Sequence, residues 1–325
     1  MHLKVLGTGS YLPERKVTNQ QLVQDGLDTT DDWIVSHTGI KSRQVAAPDE
    51  ATSDLAVRAA ERALKAANLD AQQLGFIVCA TSTPDHTLPA TANLIQAALG
   101  ANCGAMDLNA GCSGFVQALA VGFALCNQSE GRPVLVVGAD CYSRIMDWSD
   151  RTTAVFFGDG AGAVVIAAGG TRPTLLSVMS GSDGKGGKQI IVESGGSRCP
   201  VTPLALEEGK TKLRMNGRAV WDFALDKVPA LIREVVAQAG LTLAEIDLII
   251  PHQSNAKMLN AFAEALDISQ EKIFFNVQNY ANTAAASVAI ALDEAVRQKR
   301  LQPGGKVVLV GFGAGLSWCA ACLSW

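Results

Sequence analysis

Cys112 is the residue whose surroundings most invite chemistry. It lies in Asp107-Leu108-Asn109-Ala110-Gly111-Cys112-Ser113-Gly114-Phe115, where a strand is expected to end and an apolar helix to begin. A thiol at that junction faces the positive end of the helix dipole, which lowers its pKa and favours the thiolate. Gly111 and Gly114 permit a tight turn and the close approach of a ligand. Free cysteine is also a common small buried hydrophobe, and Cys112 alone leaves that alternative open. Two further residues bear on the choice. His252, in Pro251-His252-Gln253-Ser254-Asn255, follows the apolar run 248–250 and so falls at the C-terminal end of a strand, where α/β sheets place their ligand sites. Asn282 precedes a second apolar helix; an N-cap is its ordinary alternative role, and a satisfied structural histidine that of His252.

An internal duplication connects the three. Ala67-Asn68-Leu69 through Val78 recurs as Ala239-Gly240-Leu241 through Ile250, and Pro133–Gly138 recurs as Lys306–Gly311. The opening strand Leu3–Leu6 matches Leu175–Val178, so all pairs share an offset of about 172 residues, and the helix near Cys112 aligns with the one near Thr283. Four matches in order at nearly one offset imply two copies of a half related by a pseudo-two-fold axis. Cys112 and Asn282 then come from equivalent helix starts facing that axis, and His252 from a neighbouring strand end.

The elements that position them alternate between strand and helix. Val134–Val137 and Val307–Val310 are β-branched runs closed by glycine, as buried parallel strands are. Residues 53–67 predict a helix capped by Ser53, with Leu55, Ala59, Ala63 and Ala67 on one face. Val220, Phe223, Leu231 and Val235 predict its counterpart, kinked or split at Pro229. Such alternation argues for parallel α/β sheets with helices on both faces. Residues 10–50 and 180–215 are long connections, of the kind that usually carry function.

Bulk composition is ordinary. The chain has 325 residues, 48% of them hydrophobic and 18% charged, with 31 glycines and a net charge of −4. This excludes disorder and gives no general attraction to nucleic acid or acidic membranes. The apolar stretch from Gly114 to Cys126 is too short to span a bilayer, and no signal-peptide pattern opens the sequence. Eight cysteines without regular spacing do not read as a disulfide framework, so a reduced, cytoplasmic enzyme is expected.

Across nearly its whole length the chain resembles the β-ketoacyl-acyl carrier protein synthase III family of condensing enzymes. The segments that carry the resemblance are Trp33-Ile34-Val35-Ser36-His37-Thr38-Gly39-Ile40, the Cys112 region, Asp150-Arg151, Phe157–Ala163, Pro251-His252-Gln253, Asn282-Thr283 and Gly311-Phe312-Gly313-Ala314-Gly315. The resemblance implies a thiolase-like α/β fold: two pseudo-symmetric βαβαβ halves, residues 1–170 and 171–325, forming a layered αβαβα sandwich. It implies a Cys112–His252–Asn282 triad. Cys112 takes the acyl group from an acyl-CoA as a covalent thioester. His252 and Asn282 then hold the carbonyl of a malonyl-acyl carrier protein while it loses carbon dioxide. Backbone amides of Cys112 and Ala314 are the implied oxyanion hole. No metal or cofactor is called for, coenzyme A arriving as part of the substrate.

By the same resemblance Trp33, Arg151, Trp221 and Asn255 line the CoA tunnel, with Trp33 and Trp221 sandwiching the adenine. Leu88 corresponds to the residue that lines the partner subunit's acyl pocket in a homodimer; a branched aliphatic group there, rather than phenylalanine, leaves room for more than acetyl. Lys257, Arg214 and Arg218, with Lys210 and Lys212, offer a basic surface to the carrier protein, although such a cluster is also compatible with an ordinary solvated face. Several positions depart from the family pattern: Ala281-Asn282-Thr283-Ala284 stands for Gly-Asn-Thr-Ser, His37 for an arginine and Asp222 for a lysine. These departures keep a second expectation open, an acyltransferase using the same triad without decarboxylation. A non-catalytic partner subunit is a third, opposed by the intact triad. Gly7-Thr8-Gly9 lacks the rest of a dinucleotide fingerprint, and Gly209-Lys210-Thr211 the earlier glycine of a P-loop. Cys319-Ala320-Ala321-Cys322 has redox spacing, but in a strand-like run, and is expected to be packed thiols.

Overall fold

The computed structural model describes residues 3–128, 131–169 and 175–325. The expected boundary between halves, at 170 and 171, lies outside the described residues. Two sheets dominate. The first has the spatial order Leu3–Tyr11, Asp159–Ala168, Val134–Cys141, Phe76–Ala80, Gly104–Leu108; the second has Leu248–Pro251, Lys306–Gly313, Ser317–Ser324, Leu175–Ser182. Every strand of the first sheet precedes every strand of the second in the chain.

The sheets are mixed rather than parallel, which corrects the sequence expectation. Phe76–Ala80 runs parallel to both Gly104–Leu108 and Val134–Cys141, and Leu248–Pro251 parallel to Lys306–Gly313. The strands Asp159–Ala168 and Ser317–Ser324 pair antiparallel with their neighbours. Parallel neighbours need a crossover helix. Only a short turn, 314–316, separates Lys306–Gly313 from Ser317–Ser324, so the chain returns antiparallel.

Alternation along the strands sets the layers. Val134, Val136, Val164 and Ile166 face one cluster, together with Leu248, Ile250, Val307 and Leu309 of the second sheet and the helices Gly114–Gln128 and Ser287–Arg297. Leu135, Val137 and Val165 face outward onto helix Thr52–Ala67. Ile249, Val308 and Val310 face outward onto helices Gly217–Gln238 and Ala256–Leu266. The result is a five-layered αβαβα sandwich with two buried helices at its centre. Cys319 joins the central cluster and Cys322 the outer one, because residues three apart in a strand point to opposite faces. They cannot form a redox pair.

Two helix expectations need correction. Thr52–Ala67 begins one residue before Ser53: the backbone N–H of Ala51 donates to Asp54, and the Ser53 hydroxyl donates instead to Asp85. Pro229 neither splits nor ends its helix, which runs unbroken for 22 residues. The packing of Val228, Leu231, Ile232 and Val235 in the outer core outweighs the lost hydrogen bond there. Among the described residues no helix is long and apolar enough to cross a membrane.

The central helices approach the sheets through matched glycines. A Cβ at Gly138 would lie 2.5 Å from the carbonyl oxygen of Ala285, at the start of the second central helix. A Cβ at Gly311, its counterpart in the repeat, would lie 2.7 Å from the Cα of Ser113, at the start of the first. Each half therefore admits the helix start of the other. Gly138→Ala and Gly311→Ala are each expected to lower stability by about 1–3 kcal/mol, the usual cost of overpacking, and to reduce catalysis more than distant core substitutions of equal cost. Calorimetric melting and turnover of the two variants check this.

Candidate active site

Cys112 is the middle residue of a 3₁₀ turn, Gly111–Ser113, that leads into helix Gly114–Gln128. The same device recurs in the other half, where the turn Ala284–Ala286 leads into Ser287–Arg297. Asn282 stands just before that second turn. Its backbone N–H donates to Phe156 (2.8 Å) and its carbonyl accepts from Gly158 (3.0 Å), which fastens it to the first half. Its side-chain Oδ1 accepts from the N–H of Ala284 at 2.8 Å. The amide therefore caps the turn with its oxygen and keeps its Nδ2 donor for a ligand.

His252 leaves the end of strand Leu248–Pro251 and is buried. Its Nδ1 is 2.6 Å from the hydroxyl of Ser287, which also takes the N–H of Gln253 at 3.4 Å. In the tautomer where the Ser287 hydroxyl donates to Nδ1, Nε2 carries the ring proton toward the cavity. Burial holds the imidazole down to about pKa 3, so it is neutral at physiological pH. Phe312 meets the ring edge-on at 5.2 Å between centroids, and Gln253 ties the loop down through Pro251, Phe274, Asn276 and Val277.

These three side chains line one cavity of about 240 Å³, with Tyr142, Phe156, Phe157, Met215, Trp221, Asn255 and Phe312 among its other walls. Convergence of all three is as the duplication predicts. The ionisation of Cys112 is not. Burial, reinforced by the charge of Asp140, pushes the thiol up to about 12. A helix terminus contributes on the order of 1 kcal/mol, too little against burial in an apolar cluster with Met146, Phe157 and Leu213. The resting site thus holds a neutral thiol beside a neutral imidazole.

The remaining expected residues are placed as follows. Ala314 packs against Gly111, since a Cβ on that glycine would be 2.9 Å from the Ala314 methyl; both line a neighbouring cleft rather than the main cavity. Trp221 and Asn255 line the cavity, the Asn255 oxygen also capping helix Ala256–Leu266. Trp33 and Arg151 are not in its lining. His37 stacks on Trp33 at 4.3 Å and the Arg151 guanidinium lies 5.3 Å from the ring centroid, so Trp33 is engaged by these two rather than by Trp221. Leu88 is 85% exposed and takes no part in the lining. Lys257 is exposed. Arg218 pairs with Asp222 at 3.0 Å, and Arg214 faces Asp147 and Asp150 at 3.8 and 4.0 Å, so the basic surface is partly neutralised.

Sequence reasoning missed Tyr142, Asp140 and Ser287. Tyr142 follows the C-terminal end of a sheet strand, the same signal that singled out His252. Asp140 is wholly buried and accepts from Thr81, Ser82, Thr83 and the N–H of Ala285, joining the two halves beside the triad. Its burial raises its own pKa to about 6.

A layered fold with a cysteine and an asparagine at equivalent central helix starts, and a histidine between them, defines the thiolase-like condensing class. The comparisons narrow it. The sequence profile of 3-oxoacyl-[acyl-carrier-protein] synthase III matches residues 106–184, and that of its C-terminal region residues 236–325. A beta-ketoacyl-[acyl-carrier-protein] synthase III of Caldanaerobacter subterraneus is 44% identical over 322 residues, covering 99% of this chain and 97% of that protein. The crystal structure of the 3-oxoacyl-[acyl-carrier-protein] synthase III of Aquifex aeolicus superposes with a TM-score of 0.91 at 38% identity, covering 99% and 100% of the two chains. That of the Thermus thermophilus enzyme does so with a TM-score of 0.91 at 42% identity, covering 99% and 98%. The chain belongs to the β-ketoacyl-acyl carrier protein synthase III family and is a condensing enzyme.

Two measurements follow from the geometry. Alkylation of Cys112 by iodoacetamide should rise with pH from 7 through 10 without a plateau, as a thiol held near 12 requires; a plateau near neutrality would mean a stabilised thiolate. Ala281, where the family pattern has glycine, sits at φ 58° and ψ −161°. That conformation is almost exclusive to glycine and strained by about 1–3 kcal/mol for alanine. Ala281→Gly should raise stability by about 1 kcal/mol after the entropy of the glycine is offset, seen as a higher denaturant midpoint.

Proposed function

We propose that the protein starts fatty-acid synthesis by joining an acyl-CoA to malonyl-acyl carrier protein with loss of carbon dioxide. The observation that carries this is the meeting of Cys112, His252 and Asn282 on one cavity from three separate elements. In the first stage the Cys112 sulfur attacks the thioester carbonyl, CoA departs, and the acyl group stays on the enzyme. The oxyanion formed is held by the backbone amides of Cys112 and Ala314. In the second stage the malonyl thioester carbonyl accepts hydrogen bonds from His252 Nε2 and Asn282 Nδ2. Carbon dioxide leaves, the enolate is stabilised by those donors, and its carbon attacks the acyl-Cys112 carbonyl to release 3-ketoacyl-carrier protein. A neutral histidine suits this role, since it donates without drawing the enolate into protonation.

Trp221 and Asn255 support a CoA path along the cavity wall, with Trp33, His37 and Arg151 at its outer edge for the nucleotide. Lys257 is exposed and in no ion pair among the described residues, which suits it to the carrier protein, whereas Arg214 and Arg218 are shared with carboxylates. A homodimer is supported by two surfaces. Strand Gly104–Leu108 is an edge strand of its sheet with half-buried Ala105, Met106 and Leu108, the sort of edge a second copy would cover. Leu88 projects into solvent from its own subunit, free to enter the neighbour's acyl pocket.

Mass spectrometry after mixing the protein with acyl-CoAs and malonyl-carrier protein tests the proposal. An acyl adduct on Cys112 with 3-ketoacyl-carrier protein as product supports it; an adduct with no condensed product points to acyl transfer without decarboxylation. Cys112→Ser should abolish the adduct. His252→Ala and Asn282→Ala should still acylate yet lose malonyl decarboxylation by about 10²–10³-fold, the usual value of one carbonyl-directed donor.

A further inference from the structure

Behind the nucleophile turn lies a pair of hydroxyls that the steps above leave unused. Ser113 closes the turn Gly111–Ser113 and Ser317 opens strand Ser317–Ser324, and both are buried. Their hydroxyl oxygens lie 2.9 Å apart, although 204 positions separate them in the chain. Ser113 donates to the carbonyl of Ala110 at 2.8 Å, and Gln117 Nε2 donates to Ser113 at 2.9 Å. The Ser317 hydroxyl stands 2.7 Å from the carbonyl oxygen of Ala314 and 3.1 Å from that of Ala110. It thus touches the segment that leads into Cys112 and the segment that carries Ala314. Those segments also meet directly. A Cβ on Gly313 would lie 3.2 Å from the Cys112 nitrogen, and one on Gly111 would lie 3.2 Å from the Ala314 nitrogen.

We infer that Ser317 is a positioning residue for the oxyanion hole, its hydroxyl setting the spacing between the backbone N–H groups of Cys112 and Ala314. The inference deepens the reaction proposed above and rests on it. As the Cys112 sulfur bonds to the thioester carbon, the carbonyl π pair moves onto oxygen. That pair returns when the bond to the CoA sulfur breaks with its electrons; the thiol proton has gone to solvent, and the CoA sulfur takes one back. Two donors stabilise such an oxygen only when both reach it, at about 2.7–3.1 Å. Cys112 and Ala314 come from distant parts of the chain, so non-covalent contacts alone fix the separation of their amides. The glycines bring the two segments into contact, and hydrogen bonds add the direction that contact lacks. With one proton each, Ser113 serves the Ala110 carbonyl and Ser317 the Ala314 carbonyl, while their mutual contact ties the two segments together. Ser317 lines the neighbouring cleft and not the catalytic cavity, so it acts on the hole without touching substrate.

Ser317→Ala removes the hydroxyl and leaves the walls of the catalytic cavity intact. In rapid-quench mass spectrometry the maximal rate of acetyl-Cys112 formation should fall about 10–100-fold, the cost of a misplaced or lost donor. The acetyl-CoA concentration that gives half the maximal rate should stay as in the parent. Iodoacetamide alkylation of Cys112 should also keep the parent rate at each pH, because displacing iodide builds no oxyanion. Ser317→Thr, which retains the hydroxyl, should restore acetylation. If Ser317→Ala does not fold, Ser113→Ala carries the test and is read in the same way. Parent-like acetylation in the folded alanine variant would overturn the inference. So would an equal slowing of alkylation, which means a loosened turn rather than a misplaced hole. If the parent enzyme itself forms no acetyl adduct, the proposed function falls instead.

Discussion

Everything in this molecule depends on two helix starts pressed into the opposite sheet. Gly138 admits the backbone of Ala285, and Gly311 admits that of Ser113, each from the other half of the chain. Without side chains at those two points the central helices can bring their first turns to the pseudo-two-fold axis. Cys112 lies on the first turn, one residue from its contact, and Asn282 stands just before the second, three residues from its contact. The central layer thus acts as a jig: its stability and the spacing of Cys112 and Asn282 are one packing problem.

The electrostatics of the site follow from the same depth. Burying a thiol, an imidazole and a carboxylate where the sheets meet the central helix starts pushes every one toward its neutral form. Hydrogen bonds then assign direction where charge is lacking. Ser287 orients the His252 ring, the N–H of Ala284 orients the Asn282 amide, and the four residues around Asp140 keep that carboxylate satisfied. A site of directed dipoles in low dielectric gives strong stabilisation to charge that appears only during reaction.

The duplication, the layers and the meeting of Cys112, His252 and Asn282 were legible in the sequence because each leaves a local or periodic mark. Repeated strands share an offset, Val134–Val137 closes with glycine, and the three residues sit at element ends. Strand direction was less legible, since it depends on what connects Lys306–Gly313 to Ser317–Ser324 rather than on the strands themselves. Pro229 was misjudged because propensity is local and the surrounding core is not. The Cys112 pKa was misjudged for a related reason: sequence shows the helix start but not the depth at which it is buried. Arg151 and Arg214 show the same limit, as their partners Asp28, Asp147 and Asp150 lie on loops.

The neutral resting thiol has a consequence for survival under oxidative stress. Peroxides attack thiolates far faster than thiols, and sulfenic acid formation follows thiolate character and exposure. Many nucleophilic cysteines are ionised at rest and are therefore the first casualties of an oxidant burst. Here the sulfur is buried, protonated and flanked by a carboxylate. Its thiolate is scarce at neutral pH, so the enzyme idles in a form that oxidants find slow to damage.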